Sequence, residues 1–224
     1  MSTAYAHFLN HTGRPIHKST HYFLAYERHF SPFINRPLTF LEIGAGNGGS
    51  SEYWKAYFGP LARIVTLDIN PACKEFEDEQ VFVRIGDQSD PGFLQSVIDE
   101  FGAFDIVLDD GSHMMPHVKA SFDYLYPRMS KNGVYMVEDM HTAYWEEYGG
   151  GLKSQASFVE RFKDFIDDIN VRFIRDNNGS VQGLDGAYCL SIYESILVIE
   201  RSSFINGKMT LLGDSQRRVN LNAS

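Results

Sequence analysis

The sequence predicts an α/β protein built on a doubly wound, mostly parallel sheet of seven strands. Short apolar runs alternate with stretches of helical periodicity, the pattern of strands joined by crossover helices. The first run feeds a glycine-rich turn that opens a helix, and later runs end on acidic residues. The last two runs are separated by only two residues, which makes them an antiparallel hairpin at one sheet edge.

Taken in order, residues 1–16 carry Gly13, Pro15 and little periodicity, and read as an arm. In 17–33, Tyr22, Phe23, Tyr26 and Phe30 recur at helical spacing behind Ser19-Thr20, which can cap the helix, and Pro32 and Pro37 end it. The first strand, Leu38–Ile43, runs into Gly44-Ala45-Gly46-Asn47-Gly48-Gly49-Ser50-Ser51 and a helix through Tyr57. Residues 64–67 form the second strand, ending at Asp68, and Val81–Ile85 the third, ending at Gly86-Asp87-Gln88. Pro91–Phe101 is a helix with Phe93, Leu94, Val97 and Ile98 on one face. Strand four, 104–108, ends at Asp109-Asp110; a helix over 116–129 leads to strand five, 133–137, which ends at Glu138-Asp139. A helix over 155–169 precedes the hairpin of 188–193 and Ile196–Arg201, turned at Glu194-Ser195. There are no internal repeats, low-complexity tracts or linkers, so residues 1–224 read as one domain.

Composition narrows the partners. A chain of 224 residues buries a full core, and 43% hydrophobic with 22% charged residues is ordinary for a soluble globular protein. A net charge of -9 argues against nucleic acid, whose phosphates require a basic face, and Arg217-Arg218 is an isolated pair. No run approaches the ~18 apolar residues of a membrane span. The start, Met1-Ser2-Thr3-Ala4-Tyr5, lacks a signal-peptide pattern. Cys73 and Cys189 stand far apart, as expected of a reduced, cytoplasmic protein. Aromatic residues at 14% suggest a pocket as well as a core.

The glycine turn has two readings. Gly44-x-Gly46-x-x-Gly49 fits a dinucleotide fingerprint, in which helix N-terminal amides face a pyrophosphate. With Glu42 the pattern extends to Glu-x-Gly-x-Gly-x-Gly, which resembles motif I of class I S-adenosylmethionine methyltransferases. That resemblance implies that Glu42, Gly44, Gly46, Asn47 and Ser50 approach the cofactor. Asp68, at a strand end, suits ribose hydroxyls under either reading. Asp87 and Gln88 are better explained as adenine contacts of S-adenosylmethionine.

The two acidic pairs belong to neighbouring strand ends. Asp110, Glu138 and Asp139 offer hard oxygen ligands, suited to Mg²⁺ with Mn²⁺ or Ca²⁺ as alternatives. Three adjacent carboxylates repel one another unless a cation neutralises them. Asp109 is assigned toward the cofactor. His113, three residues after Asp110, is placed as general base near a metal-bound hydroxyl. His117 and His141 read as supporting residues. His113-x-x-x-His117 as a zinc pair is a weaker alternative, with Pro116 between the two and no Glu after His113. Tyr144, Trp145 and Tyr148, followed by glycines, read as a mobile aromatic loop beside the site.

Asp109-Asp110-Gly111-Ser112-His113, then Glu138-Asp139-Met140-His141-Thr142-Ala143-Tyr144-Trp145 and Gly149-Gly150, resemble the metal-dependent sugar O-methyltransferases of macrolide biosynthesis, the mycinamicin type. The resemblance spans roughly residues 17–200. It implies a class I methyltransferase fold, Mg²⁺ on Asp110, Glu138 and Asp139, and His113 as catalytic base. Lys18-Ser19-Thr20-His21-Tyr22 and Tyr26-Glu27 resemble the segment preceding motif I, so residues 1–37 are expected to cover the site. The macrolide enzymes carry a large additional N-terminal domain for which no counterpart is expected here, so the acceptor sugar does not transfer. The expected function is S-adenosylmethionine- and Mg²⁺-dependent methylation of a sugar hydroxyl on a glycosylated natural product or glycan, by a protein that acts alone or as a homo-oligomer. The rivals are a catechol-type O-methyltransferase, an NAD-linked oxidoreductase and a non-catalytic scaffold that binds S-adenosylmethionine.

Overall fold

Five parallel strands, β1 (Leu38–Ile43), β2 (Ala62–Asp68), β3 (Val81–Ile85), β4 (Ile106–Asp109) and β5 (Val134–Val137), form the centre of the computed structural model, which describes residues 3–175 and 178–203. The antiparallel strands β6 (Ala187–Tyr193) and β7 (Ile196–Arg201) complete a seven-stranded sheet in the order β3-β2-β1-β4-β5-β7-β6. The hairpin lies at the edge beyond β5, as its two-residue turn predicts. Expectations resting on Met1-Ser2 and on Arg217-Arg218 lie outside the described residues.

The strands alternate between two cores. Leu41, Val65, Val107 and Tyr135 face one side of the sheet, where they pack with α4 (Pro91–Phe101), α5 (Met115–Leu125) and α6 (Phe158–Ile169). Phe40, Ile64, Ile106 and Val134 face the other, against α1 (Thr3–Leu9), α2 (Tyr22–Phe30) and α3 (Gly49–Phe58). Side chains one residue apart in a strand point to opposite faces, so a sheet covered on both sides needs uninterrupted apolar runs. β1, β4 and β5 are buried throughout. Trp54, Tyr26, Phe30, Phe40 and Phe58 pack ring on ring beneath α2 and α3.

The chain departs from expectation mainly at its N-terminus. Residues 3–9, expected as an arm, form α1. Its short helix is held by tertiary contacts: Ala4 N donates to Glu27 (2.8 Å), Tyr53 donates to Ala4 O (3.0 Å), and the rings of Tyr5 and Phe8 pack tilted against Phe23. The helix expected over 17–33 is shorter, with His21 at its cap position and no side-chain cap bond, so Ser19-Thr20 does not act as predicted. A 3-10 turn, Ser31–Phe33, carries Pro32.

The backbone ladder continues past the strand ends. Gly44 N bonds Leu67 O, Asp110 N bonds Ile43 O, and Glu138 N bonds Asp109 O, at 2.8–3.0 Å. The turns after β1, β4 and β5 are thereby fixed side by side at the carboxyl edge, beside the reversal of strand order between β1 and β4. Open α/β sheets bind ligands at this point.

Candidate active site

The glycine turn is shaped by its neighbours. Gly44 has φ +99°, and a Cβ there would stand 2.2 Å from Asp110 O. A Cβ on Gly49 would meet Arg14 O at 2.3 Å and Pro15 O at 2.4 Å, because the N-terminal segment lies directly on the start of α3. Arg14 N anchors that segment by donating to Glu52 at 2.8 Å. Backbone carbonyls therefore crowd the helix N-terminus where a dinucleotide pyrophosphate would need amides.

Next to the turn lies a cleft of about 320 Å³, lined among others by Gly44, Gly46, Asp68, Asp87, Gln88 and Asp110. It is flanked by a smaller space bordered by His17, Lys18, Asn47, Ser50 and again Asp110. Asp68 lines the larger cleft, accepting from Ala45 N (2.9 Å) and Asn70 N (2.8 Å). The Ser89 amide and hydroxyl donate to Asp87 and hold its carboxyl below the ordinary range. His117, expected as support for the metal, instead lines this cleft with its Nδ1 3.0 Å from Ser112 Oγ.

Three of the expected cofactor residues make their hydrogen bonds within the protein. Glu42 is wholly buried and accepts from Ser50 Oγ (2.8 Å) and Trp54 Nε1 (3.0 Å), so it fixes the start of α3 from below. Burial pushes its carboxyl up to about 7, against the pull of Lys18. Asp109 is likewise buried, accepting from Ser121 Oγ (2.6 Å) and Gln88 Nε2 (3.1 Å); burial raises its pKa and these bonds oppose the rise. Gln88 borders the cleft, yet its amide is committed to Asp109 and to the Ser112 amide (2.8 Å). Both side chains brace the loop after β4.

On the other side of Asp110 stands the acidic cluster. Ligand atoms of Asp110, His113 and Asp139 all lie within 4.8 Å of one another. His113 Nε2 is 3.6 Å from Asp139 Oδ2 and 4.0 Å from Asp110 Oδ1. His113 and Asp139 both adopt left-handed backbone, φ +58° and +54°, which aims their side chains inward from tight turns. His113 and His117 face different partners, which removes the zinc-pair alternative.

Glu138, the third expected ligand, shares the Lys18 ammonium with Asp110. It is buried, with Oε2 2.8 Å from Lys18 Nζ and Oε1 accepting from Tyr26 OH. Burial raises its carboxyl to about 8, with Lys18 pulling it down and Asp110 pushing it up. Lys18 Nζ also meets Asp110 Oδ2 at 2.5 Å. Burial alone would lower the lysine pKa, but the carboxylates of Asp110, Glu138 and Glu42 outweigh it and hold the ammonium charged. Tyr22 OH donates to Asp139 Oδ1 at 2.6 Å and lies 2.9 Å from Ser195 Oγ.

Lys18, Tyr22 and Tyr26, spaced four apart, thus present three donors to the three carboxylates. These roles were not assigned from sequence, although the i, i+4 spacing of the tyrosines was a readable signal. The residues fit a divalent cation. Asp110 Oδ1 and Asp139 Oδ2 supply hard oxygens beside His113 Nε2, the donor set a divalent cation takes.

The aromatic loop is better tied than expected. Gly150 N bonds Trp145 O, Gly151 N bonds Ala143 O, and Trp145 packs edge-on against His141 at 4.9 Å. A Cβ on Gly150 would meet Ala143 O at 2.3 Å, which explains a glycine there.

This sheet order and cleft define the class I methyltransferase fold. The solved MycE methyltransferase from the mycinamycin biosynthetic pathway, in complex with Mg, SAH and mycinamycin VI, matches with a TM-score of 0.75 at 32% identity, covering 88% of this chain and 52% of that one. The chain is 34% identical over 196 residues to demethylmacrocin O-methyltransferase of Streptomyces fradiae, covering 82% of this chain and 49% of the relative. It is 39% identical over 154 residues to 8-demethyl-8-alpha-L-rhamnosyl tetracenomycin-C 2'-O-methyltransferase of Streptomyces olivaceus, covering 64% and 40%. The chain is therefore a homologue of sugar O-methyltransferases from antibiotic pathways, and it spans about half the length of the curated relatives it matches. No protein-family model matches it. No helix among the described residues is long and apolar enough to cross a membrane.

Proposed function

We propose that this chain is an S-adenosylmethionine- and Mg²⁺-dependent O-methyltransferase acting on a sugar hydroxyl of a glycoside. One observation carries the reading: Asp110 belongs both to the cleft beside the glycine turn and to the cluster with His113 and Asp139. A methyl donor in the cleft and a hydroxyl at the cluster therefore meet at one residue. Homology to enzymes that methylate sugars, one of them on a rhamnosyl group, supports a sugar and makes a rhamnoside the first acceptor to test.

S-adenosylmethionine would supply an electrophilic methyl group, and Mg²⁺ would stabilise charge on the acceptor oxygen. Asp110 and Asp139 would hold the cation, with Glu138 adding negative charge beside them. Gly44 and Gly46 leave room for the donor, and Asp68 and Asp87 offer acceptors to its hydroxyl and amino groups. Tyr22 fixes Asp139, and Tyr26 with Lys18 fixes Glu138. His113 Nε2 faces the same space as Asp139 Oδ2 and takes the acceptor proton. Catalysis then rests on positioning and on a fixed electrostatic surrounding. Residues 15–18, with Tyr22 and Tyr26, border this site.

Methyl transfer from S-adenosylmethionine to rhamnosides is expected to stop in EDTA and return with Mg²⁺. Asp139→Ala is expected to lose turnover while keeping SAH affinity in calorimetry. Full turnover in EDTA, or tight NADH binding without SAH binding, contradicts this reading.

A further inference from the structure

One cation already stands among the carboxylates of the site. We infer that the Lys18 ammonium is a built-in counter-ion of the acidic cluster: it balances the cluster without a metal, and it opposes Mg²⁺ at Asp110 and Glu138, so that Lys18 sets the metal affinity. Mg²⁺ as the entering ion is taken from the proposed function, on which this inference rests.

Asp110, Glu138 and Asp139 meet at adjoining strand ends, and Glu138 is enclosed. Among the described residues, the ion pairs of these three carboxylates run to Lys18 and His113 alone. His113 neutralises a carboxylate only when protonated, so the standing positive charge of the group is that of Lys18. The lysine side chain is itself only 6% exposed, with Nζ 2.5 Å from Asp110 Oδ2 and 2.8 Å from Glu138 Oε2. An ammonium taken this far from water persists only against carboxylates, and removing it strands them as uncompensated buried charge.

The oxygens of Asp110 are divided between two sides. Oδ2 meets Lys18, while Oδ1 lies 4.0 Å from His113 Nε2, on the side where Asp139 completes a donor set for an ion. Both oxygens of Glu138 are engaged, Oε2 with Lys18 and Oε1 with Tyr26 OH. A divalent ion at Oδ1 therefore shares Asp110 with a positive charge on the other oxygen. It gains Glu138 Oε2 as a ligand only if the ammonium gives that oxygen up. Both effects weaken the metal, because like charges repel and one carboxylate is divided between two cations. Lys18 can yield without breaking a strand or a helix. It lies in the irregular segment between α1 and α2, which is tied back at Arg14, where the amide donates to Glu52 at 2.8 Å and the guanidinium covers the Phe76 ring at 4.7 Å.

Calorimetric titration of MgCl₂ into the metal-stripped whole chain, with SAH present, compares the wild type with Lys18→Met and Lys18→Arg. Lys18→Met is expected to bind Mg²⁺ roughly tenfold more tightly or better, while Lys18→Arg, which keeps the charge, stays within about threefold of the wild type. In EDTA, Lys18→Met is expected to melt roughly 6–12 °C below the wild type, and saturating Mg²⁺ to return most of that difference. Unchanged or weaker Mg²⁺ binding by Lys18→Met overturns the inference, since a lysine that merely held Asp110 in place would leave the ion worse bound when lost. If Lys18→Met does not fold in EDTA, the same comparison is made in a Glu138→Gln background, where one acid fewer needs balancing. Adding Lys18→Met there is expected to tighten Mg²⁺ by about threefold or more, and no gain overturns the inference. Absence of Mg²⁺ binding in every variant overturns this inference together with the metal of the proposed function, whereas Mg²⁺ binding that Lys18 does not influence overturns this inference alone.

Discussion

His113 and Asp139 share a feature that bears on the proposed catalysis: both are non-glycine residues at positive φ. Such backbone costs on the order of 1–3 kcal/mol and persists only where the surroundings impose it. Here the surroundings are the β-ladder bond from Glu138 N to Asp109 O, the Tyr22 bond to Asp139, and the turn that follows β5. The result is an imidazole nitrogen 3.6 Å from Asp139 Oδ2, with 23% of the His113 side chain still open to solvent and therefore to an acceptor. If His113 is the proposed general base, it would contribute ~10²–10⁴-fold to turnover. His113→Ala is accordingly expected to lower turnover by ~10²–10⁴-fold while leaving SAH affinity within about twofold. Single-turnover methyl transfer and calorimetry check the two halves separately, and a loss below threefold reduces His113 to a loop residue.

At the scale of elements, the β1–α3 turn is where sequence and structure can be compared most closely. Gly44 and Gly46 both have positive φ, but only Gly44 has backbone in the way of a side chain. Gly44→Ala must displace Asp110, which belongs to both halves of the site, so SAH binding and stability are expected to fall together, the latter by about 2 kcal/mol or more. Gly46→Ala meets nothing within 4 Å and is expected to cost only about 1 kcal/mol, the left-handed strain alone. Paired chemical denaturation curves measure this contrast, and equal losses would show the close approach of Asp110 to be unimportant. The turn was legible because glycine spacing is written locally, as were the strands, whose buried runs need no alternation. What was not legible depends on distant contacts. Helix α1 is only seven residues long and forms against Glu27, Tyr53 and Phe23. Lys18 lies 92 residues from Asp110 and 120 from Glu138, at the end of an irregular segment whose path no periodicity predicts. Glu42, placed toward the cofactor by the motif resemblance, and Asp109, at a strand end, bond Ser50 and Trp54, and Ser121 and Gln88, partners that no local pattern reveals.

The molecule as a whole gathers acidic groups at one edge of its sheet, and this sets how its stability responds to pH. Glu42 is held at about 7 by burial, well above the 4.5 of an ordinary glutamate, and Glu138 is held at about 8 for the same first reason. A carboxyl whose pKa is raised on folding binds its proton more tightly in the native state. Between pH 4.5 and about 7, the unfolded chain has released the Glu42 proton while the folded chain retains it. Stability therefore falls as pH rises through that window. The sign is opposite to that of a salt-bridged surface carboxylate such as Glu100, which Arg84 holds low. Glu42→Gln keeps an oxygen for Trp54 and an amide to donate to Ser50 Oγ, without the charge. In EDTA, the variant is expected to show a shallower decline from pH 5 to pH 8 and a gain at pH 8 on the order of 2–3 kcal/mol. The decline should not vanish, because Glu138 bends the curve in the same direction. Urea denaturation at several pH values reads both effects. A variant curve parallel to the wild type would mean that Lys18 already keeps Glu42 ionised in the folded protein, and that the buried carboxylates are balanced by the N-terminal segment alone.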